Sequence, residues 1–197
     1  MKTYKLKVTF TEPILGTQPQ QDIATEFIQS KARDAGLEVA DEQETLPEML
    51  EKGTTVFHRL DGYPIYYDYH VKGFLKASGK VQNGLCNVRN LRSKVGDYVF
   101  VFPRRIALKL PDGEHKPEFL ERPLRAQTMQ GERVALARSE LLPVGTSFEC
   151  ELKVINEVMS EKLLRGLLDY GALCGMGQWR SGSYGRFFYE LSEVEAE

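Results

Sequence analysis

Trp179, Arg180, Tyr184 and Arg186 fall within one eight-residue span of the stretch LLDYGALCGMGQWRSGSYGRFFYEL, and five glycines from Gly171 to Gly185 run among them. Guanidinium groups pair with phosphates as two-pronged donors, and indole and phenol rings stack on bases. Glycine lets backbone N–H groups approach a ligand with no Cβ in the way and adopts positive φ without strain. Ser181 and Ser183 add hydroxyl donors. Together Gly175, Gly177, Gly182 and Gly185 with the two arginines read as a loop that lies against a phosphate backbone. Gly175 and Gly177 follow a leucine-rich helical stretch, so one of them is expected as its C-terminal cap. That end of a helix repels anions, which leaves the charge to Arg180 and Arg186. Trp179 also has a plainer reading, as a core residue.

A second set of cations lies earlier. From Lys72 to Lys109 the chain carries nine Lys or Arg, among them Lys72, Lys76, Arg89, Arg92, Arg104 and Arg105, against Asp97 alone. Between Asp34 and Glu51 there are seven acidic residues and no basic one. A net charge of −2 therefore hides a strong asymmetry, and a polyanion responds to the local field rather than to the total. The plainer reading is a solvated, unevenly charged surface.

Acid–base chemistry has few candidates. Metal-independent RNA cleavage needs a group that titrates near neutrality beside one that stabilises charge on the phosphate. Of His58, His70 and His115, His70 is best placed, beside Tyr67, Tyr69 and Lys72. It is a weak catalytic candidate, because a single histidine beside a strand end is more often structural. No P-loop, His-Glu-x-x-His or Gly-x-Ser-x-Gly motif is present. CGMGQWRSG follows a helix rather than a strand, the wrong context for a dinucleotide fingerprint. Asp22 and Asp34 have no partner carboxylates at ligand spacing. Cys86, Cys150 and Cys174 form no Cys-x-x-Cys pair, so they are expected to be buried apolar residues of a reducing, cytoplasmic compartment. No cofactor and no metal site is expected.

The elements that must position these residues follow from periodicity. The 197 residues, 42% hydrophobic and 27% charged, are those of an ordinary globular protein, with no apolar run long enough for a membrane span and no signal peptide at the start. YKLKVTF alternates as a half-buried strand. Helices are expected over Asp22–Gly36 and, with a capping-box spacing, Thr45–Gly53. YPIYYDYHVKG reads as extended, GFLKAS as the start of a short helix, and Gly79 to Asn87 as loop. Strands follow at Tyr98–Phe102, towards Leu110, and over TSFECELKVI, where Phe148, Cys150, Leu152 and Val154 share a face. A helix from Ser160 carries Leu163, Leu164, Leu167 and Leu168, and GRFFYEL is the last strand. Reduced to regular elements the order is β-α-β-β-α-β, an α+β, ferredoxin-like (RRM-like) core with an antiparallel sheet. It is read as one domain, 1–197, with an insertion over approximately 37–96.

The glycine-rich stretch GALCGMGQWRSGSYGRFFYEL resembles the C-terminal signature of the RAMP superfamily of CRISPR-associated RNA-binding proteins. There a leucine-rich helix, a Gly-x-Gly turn, a basic residue and a Gly-Tyr/Phe-Gly lead into the final strand. VTFTEPILGT is similar to the first strand and following turn of that family, HVKGFLKAS to its Gly-Ser-x-Lys-Gly region, and SELLPVGTSFECELKVI to its Gly-Thr-x-Phe strand. His70-Val71 stands where the family has a small residue before Lys-Gly. The resemblance implies an RNA-binding subunit that holds guide or single-stranded RNA, with Gly175, Gly177, Arg180, Gly182, Tyr184, Gly185 and Arg186 as its loop and Lys72 and Lys76 as phosphate contacts. It implies other ribonucleoprotein subunits or a homo-oligomer as partners. Two other readings stand beside it: an assembly or inhibitor protein, for example phage or mobile-element encoded, with this fold and no catalysis; and a guide-RNA-processing endoribonuclease using His70.

Overall fold

The computed structural model describes residues 1–19, 54–111, 113, 117–128 and 131–194, and for 124–128 and 131–136 it describes the backbone only. The expected helices at Asp22–Gly36 and Thr45–Gly53, the acidic block and His115 lie outside the described residues. The chain gathers into two compact units. The first combines Met1–Ile14, His58–Lys116 and Leu142–Glu197; the second combines Leu15–Phe57 and Pro117–Leu141.

The first unit is the ferredoxin-like core. Its sheet is built from β1 (Lys2–Phe10), β7 (Val99–Phe102), β11 (Ser147–Val154) and β12 (Phe187–Val194), in the order β12-β1-β11-β7 with every pair antiparallel. Alternation dictates its inner face: Tyr4, Leu6, Val8 and Phe10 from β1 and Phe148, Cys150, Leu152 and Val154 from β11 are buried. Two helices cover that face, α1 (Asp68–Val81) through Val71, Phe74 and Leu75, and α3 (Glu161–Cys174) through its four leucines. The Ser160 Oγ caps α3 by accepting from the Leu163 N–H at 3.3 Å. The helices are stitched together where Ser78 Oγ donates to the Leu167 carbonyl at 2.7 Å.

The crossover helix corrects the sequence reading. HVKG is not extended: the helix begins at Asp68, directly after β6 (Tyr63–Tyr67), and runs through GFLKAS. Four tyrosines in seven residues favour a strand locally, but the stripe Val71, Phe74, Leu75 and Ser78 is helical and finds a sheet to bury against. A second helix absent from the sequence reading, α2 (Leu91–Tyr98), packs its Leu91 and Val95 inward. Gly79 allows this approach, since a Cβ there would lie 3.2 Å from the Arg92 backbone nitrogen. A small sheet, β5 (His58–Leu60), β6 and β8 (Arg105–Ala107), completes the unit. The cysteine expectation holds for Cys150, whose burial pushes the thiol up to about 12. It fails for Cys86, which is exposed in a turn, and Cys174 is half-buried.

The second unit is a sheet of order β2-β10-β4-β3 with β9 paired to β10. β2 is Ile14–Leu15, β3 Gln18–Pro19 and β4 Thr54–Val56. A long antiparallel ribbon, β9 (Glu118–Thr128) and β10 (Gly131–Leu142), was not read from the sequence, because charged residues break its alternation. Glu140 is fully buried and its carboxylate accepts from the Phe57 N–H at 2.9 Å. Arg122 donates to Ser139 Oγ at 3.1 Å.

Candidate nucleic-acid interface

Each of the five glycines from Gly171 to Gly185 has a use within the fold. A Cβ on Gly171 would sit 1.8 Å from the Phe74 ring of α1. Gly175 (φ +86°) and Gly185 (φ +72°) face one another: a Cβ on the first would lie 2.3 Å from the Tyr184 carbonyl oxygen, and on the second 1.9 Å from that of Met176. The Met176 N–H donates to the Gly185 carbonyl at 2.8 Å across this pinch, and the Gly185 N–H donates to the Pro13 carbonyl at 2.9 Å. Gly177 has φ +92°. A Cβ on Gly182 would be 2.9 Å from the Trp179 ring. Gly175 serves as the expected cap of α3, its N–H donating to the Gly171 carbonyl.

The pinch displays the loop's side chains. Trp179 is 37% exposed and stacks on Tyr184 with ring centroids 5.1 Å apart and planes 16° apart, so it lies outside the core. Arg180 is exposed, and with Leu173 and Trp179 it lines an open cleft of about 710 Å³. Arg186 is exposed too, but its Nε donates to the Leu173 carbonyl at 3.0 Å, tying it to the last turn of α3. We expect Arg186→Ala to lower the melting temperature by roughly 2–4 °C, about the loss of one ordinary hydrogen bond at an exposed site, and Arg180→Ala to leave it unchanged. Thermal denaturation of the two variants checks this.

The earlier cations gather elsewhere. Lys76 lies across Gly96 of α2, where a Cβ would meet its Nζ at 3.8 Å, and Lys76, Arg92, Asn90 and Ser93 line a cleft of about 570 Å³. Asp97, also in its wall, accepts from Ser93 Oγ at 3.2 Å. Lys72, one turn before Lys76, places its Nζ 4.7 Å from the Phe100 ring centroid on β7. Arg89 is exposed in the turn before α2. Arg104 and Arg105 are exposed after β7, and the Arg104 carbonyl accepts from the Asp68 N–H at 3.0 Å at the start of α1. Lys72, Lys76, Arg92, Arg104 and Arg105 thus follow α1 and the β7 edge. The glycine loop leads into β12, the opposite edge strand, three strand spacings or about 14 Å away.

His70 stands in the first turn of α1, half-buried among aromatic rings: Tyr66 stacks on it at 5.0 Å, Tyr69 lies at 4.4 Å and His58 at 5.7 Å between centroids. Its Nδ1 accepts from the Tyr67 N–H at 3.0 Å, so the neutral ring carries its proton on Nε2 and presents a donor there. His58 Nε2 shares a hydrogen bond with the Tyr69 hydroxyl at 3.2 Å, a partner that sequence spacing did not reveal. Burial holds the His70 pKa below the usual imidazole value, and the His58 charge adds to this; burial also lowers His58. The unfolded chain therefore takes up protons first as pH falls. The stability these neutral rings contribute is present above about pH 6.5 and is lost below it. We expect the melting temperature to fall between pH 7 and pH 5, and His70→Phe to flatten that fall.

Among the described residues no three His, Cys, Asp or Glu side chains gather as metal ligands, and no helix is long and apolar enough to cross a membrane. The fold defines an α+β protein of the ferredoxin-like type. Among solved structures the chain is similar to a chain of a type III-B Cmr-beta assembly, determined by cryo-EM with cognate target RNA bound. The TM-score is 0.53 at 8% identity, over 98% of this chain and 61% of that one. It is also similar to a chain of a type IV-B CRISPR complex, with a TM-score of 0.48 at 12% identity, over 96% of this chain and 90% of that one. The chain thus spans about three-fifths of the length of the Cmr-beta neighbour. No family model matches it, and no curated protein matches it in sequence.

Proposed function

We propose that the chain is an RNA-binding subunit of a CRISPR-type ribonucleoprotein, one RAMP-like domain holding single-stranded or guide RNA without catalysis. The observation that carries this reading is the meeting of Lys76 from α1 and Arg92 from α2 in one open cleft, where Asp97 is engaged by Ser93. Such a groove tracks a phosphate backbone. The shared fold with a chain of an RNA-bound assembly supports it. Partners are then RNA and further subunits or copies that tile it, in the cytoplasm. Fluorescence anisotropy of an RNA of about 30 nucleotides tests it: saturable binding that weakens with salt is expected, and no binding at low salt overturns it.

A second reading, an assembly or inhibitor protein without RNA, is favoured by the internal use of the glycines from Gly171 to Gly185. It predicts self-association or partner capture that survives nuclease and high salt. An endoribonuclease reading rests on His70 as acid or base. With Nδ1 accepting from the Tyr67 N–H the neutral ring offers a donor and not a base at Nε2, and burial disfavours the imidazolium that would act as acid, so we expect incubated RNA to be recovered at full length.

A further inference from the structure

The outward face of the four-stranded sheet divides in two. Its centre is covered by ion pairs: Lys5 with Glu149 at 3.3 Å, Lys7 with Glu190 at 3.1 Å, and Lys109 with Glu149 at 3.0 Å. Edge strand β7 differs. Val99 and Val101 are buried, while Phe100 and Phe102 are 39% and 45% exposed. Two rings left this far in water forgo much of the stabilisation that burial gives a phenylalanine. Each ring also carries an ammonium. Lys72 Nζ lies 4.7 Å from the Phe100 centroid, and Lys153 Nζ lies 4.9 Å from that of Phe102. Among the described residues neither lysine is paired with a carboxylate, although Glu151 stands opposite Phe102 in the β11–β7 register.

This chemistry selects its occupant. An apolar peptide face would have to desolvate both ammonium groups, with Arg104 next along the chain. A planar ring whose linker is anionic satisfies both features at once: the ring stacks on the exposed part of the phenylalanines, and the linker neutralises the cations. Side chains two apart on a strand are about 6.7 Å apart, close to two base-stacking steps of about 3.4 Å.

We propose that Phe100 and Phe102 form a two-ring stacking shelf for bases of single-stranded RNA, with Lys72, Lys153 and Arg104 taking the flanking phosphates. This rests on the RNA-binding reading above and adds to it. Base contacts fall at the β7 edge rather than on Trp179 and Tyr184, whose rings already stack on one another.

The test separates stacking from charge. Anisotropy is measured with a labelled 12-nucleotide oligouridine and with an abasic ribose-phosphate strand of equal length and charge. Wild type is expected to bind oligouridine about tenfold or more tightly than the abasic strand. Phe100→Leu with Phe102→Leu removes that difference and leaves abasic binding unchanged. Phe100→Tyr with Phe102→Tyr keeps the rings and retains the difference, which shows that loss in the leucine variant is not misfolding. Equal wild-type binding to both strands, or discrimination that survives in the leucine variant, overturns the shelf while the RNA reading stands. No binding to either strand overturns both.

Discussion

Gly185→Ala and Gly175→Ala are each expected to lower the melting temperature by roughly 10 °C, corresponding to about 3 kcal/mol in a chain of this size. Both positions combine a positive φ with a backbone carbonyl where Cβ would stand, 1.9 Å away for Gly185 and 2.3 Å for Gly175. An L side chain there pays for left-handed backbone and also forces the pinch apart. Opening it removes the Met176–Gly185 and Gly185–Pro13 hydrogen bonds, which anchor the first residue of β12 beside the end of β1. Gly182→Ala is milder, because the clash is with the Trp179 ring at 2.9 Å rather than with backbone. Differential scanning calorimetry at one pH ranks the three. A melting temperature for Gly185→Ala within 2 °C of wild type would show that the pinch does not hold the loop.

The second large effect is electrostatic. Binding to a single strand through four phosphate contacts falls with a log–log slope of about −2.8, a loss of about 50-fold between 50 and 200 mM salt. Lys76→Ala with Arg92→Ala should weaken affinity at low salt and flatten the slope by about 1.4, since each contact contributes about 0.7 on single-stranded nucleic acid. Arg180→Ala should flatten it by a further 0.7 if the strand reaches the far edge of the sheet. Titrations at four salt concentrations give the slopes. An unchanged slope in the double variant removes the α1–α2 cleft from the interface, and an unchanged slope in Arg180→Ala removes the loop.

The core was legible where burial is one-sided. β1, β11 and α3 alternate or repeat so strongly that their boundaries lie within a residue or two of the structure, and the last strand was placed correctly but runs three residues further, to Val194. The ferredoxin-like order followed from them. α1 was legible at GFLKAS, but its N-terminal turn was hidden because Asp68–Val71 is continuous in composition with the tyrosine-rich strand before it. The roles of the glycines were half legible: spacing shows a bare backbone, but only the fold shows that the bareness is used against Phe74, Tyr184, Met176 and Trp179. The β7 shelf was hidden for a different reason. Val-Phe-Val-Phe alternates, yet both members are apolar, so the pattern does not say which pair faces out. The meeting of His58 with Tyr69 and His70 comes from β5 folding back on β6, a turn at Asp61 and Gly62 rather than any spacing motif.

The pairing of β3 with β4 sets Gln18 opposite Val56 and Pro19 opposite Thr55. The residues flanking segment 20–53 therefore stand about one strand spacing apart, close enough for a four-residue turn to bridge them. Those 34 residues hold nine acidic and three basic side chains, so they contribute −6 of a total of −2. Everything else in the chain sums to +4. The sequence outside 20–53 is thus basic, and the isoelectric point describes the sum of two unlike parts. Exchanging 20–53 for a short turn would shorten the closed loop, worth about 2 kcal/mol in closure entropy, and invert the sign of the molecule. Any polyanion that the intact chain holds should then be held more tightly.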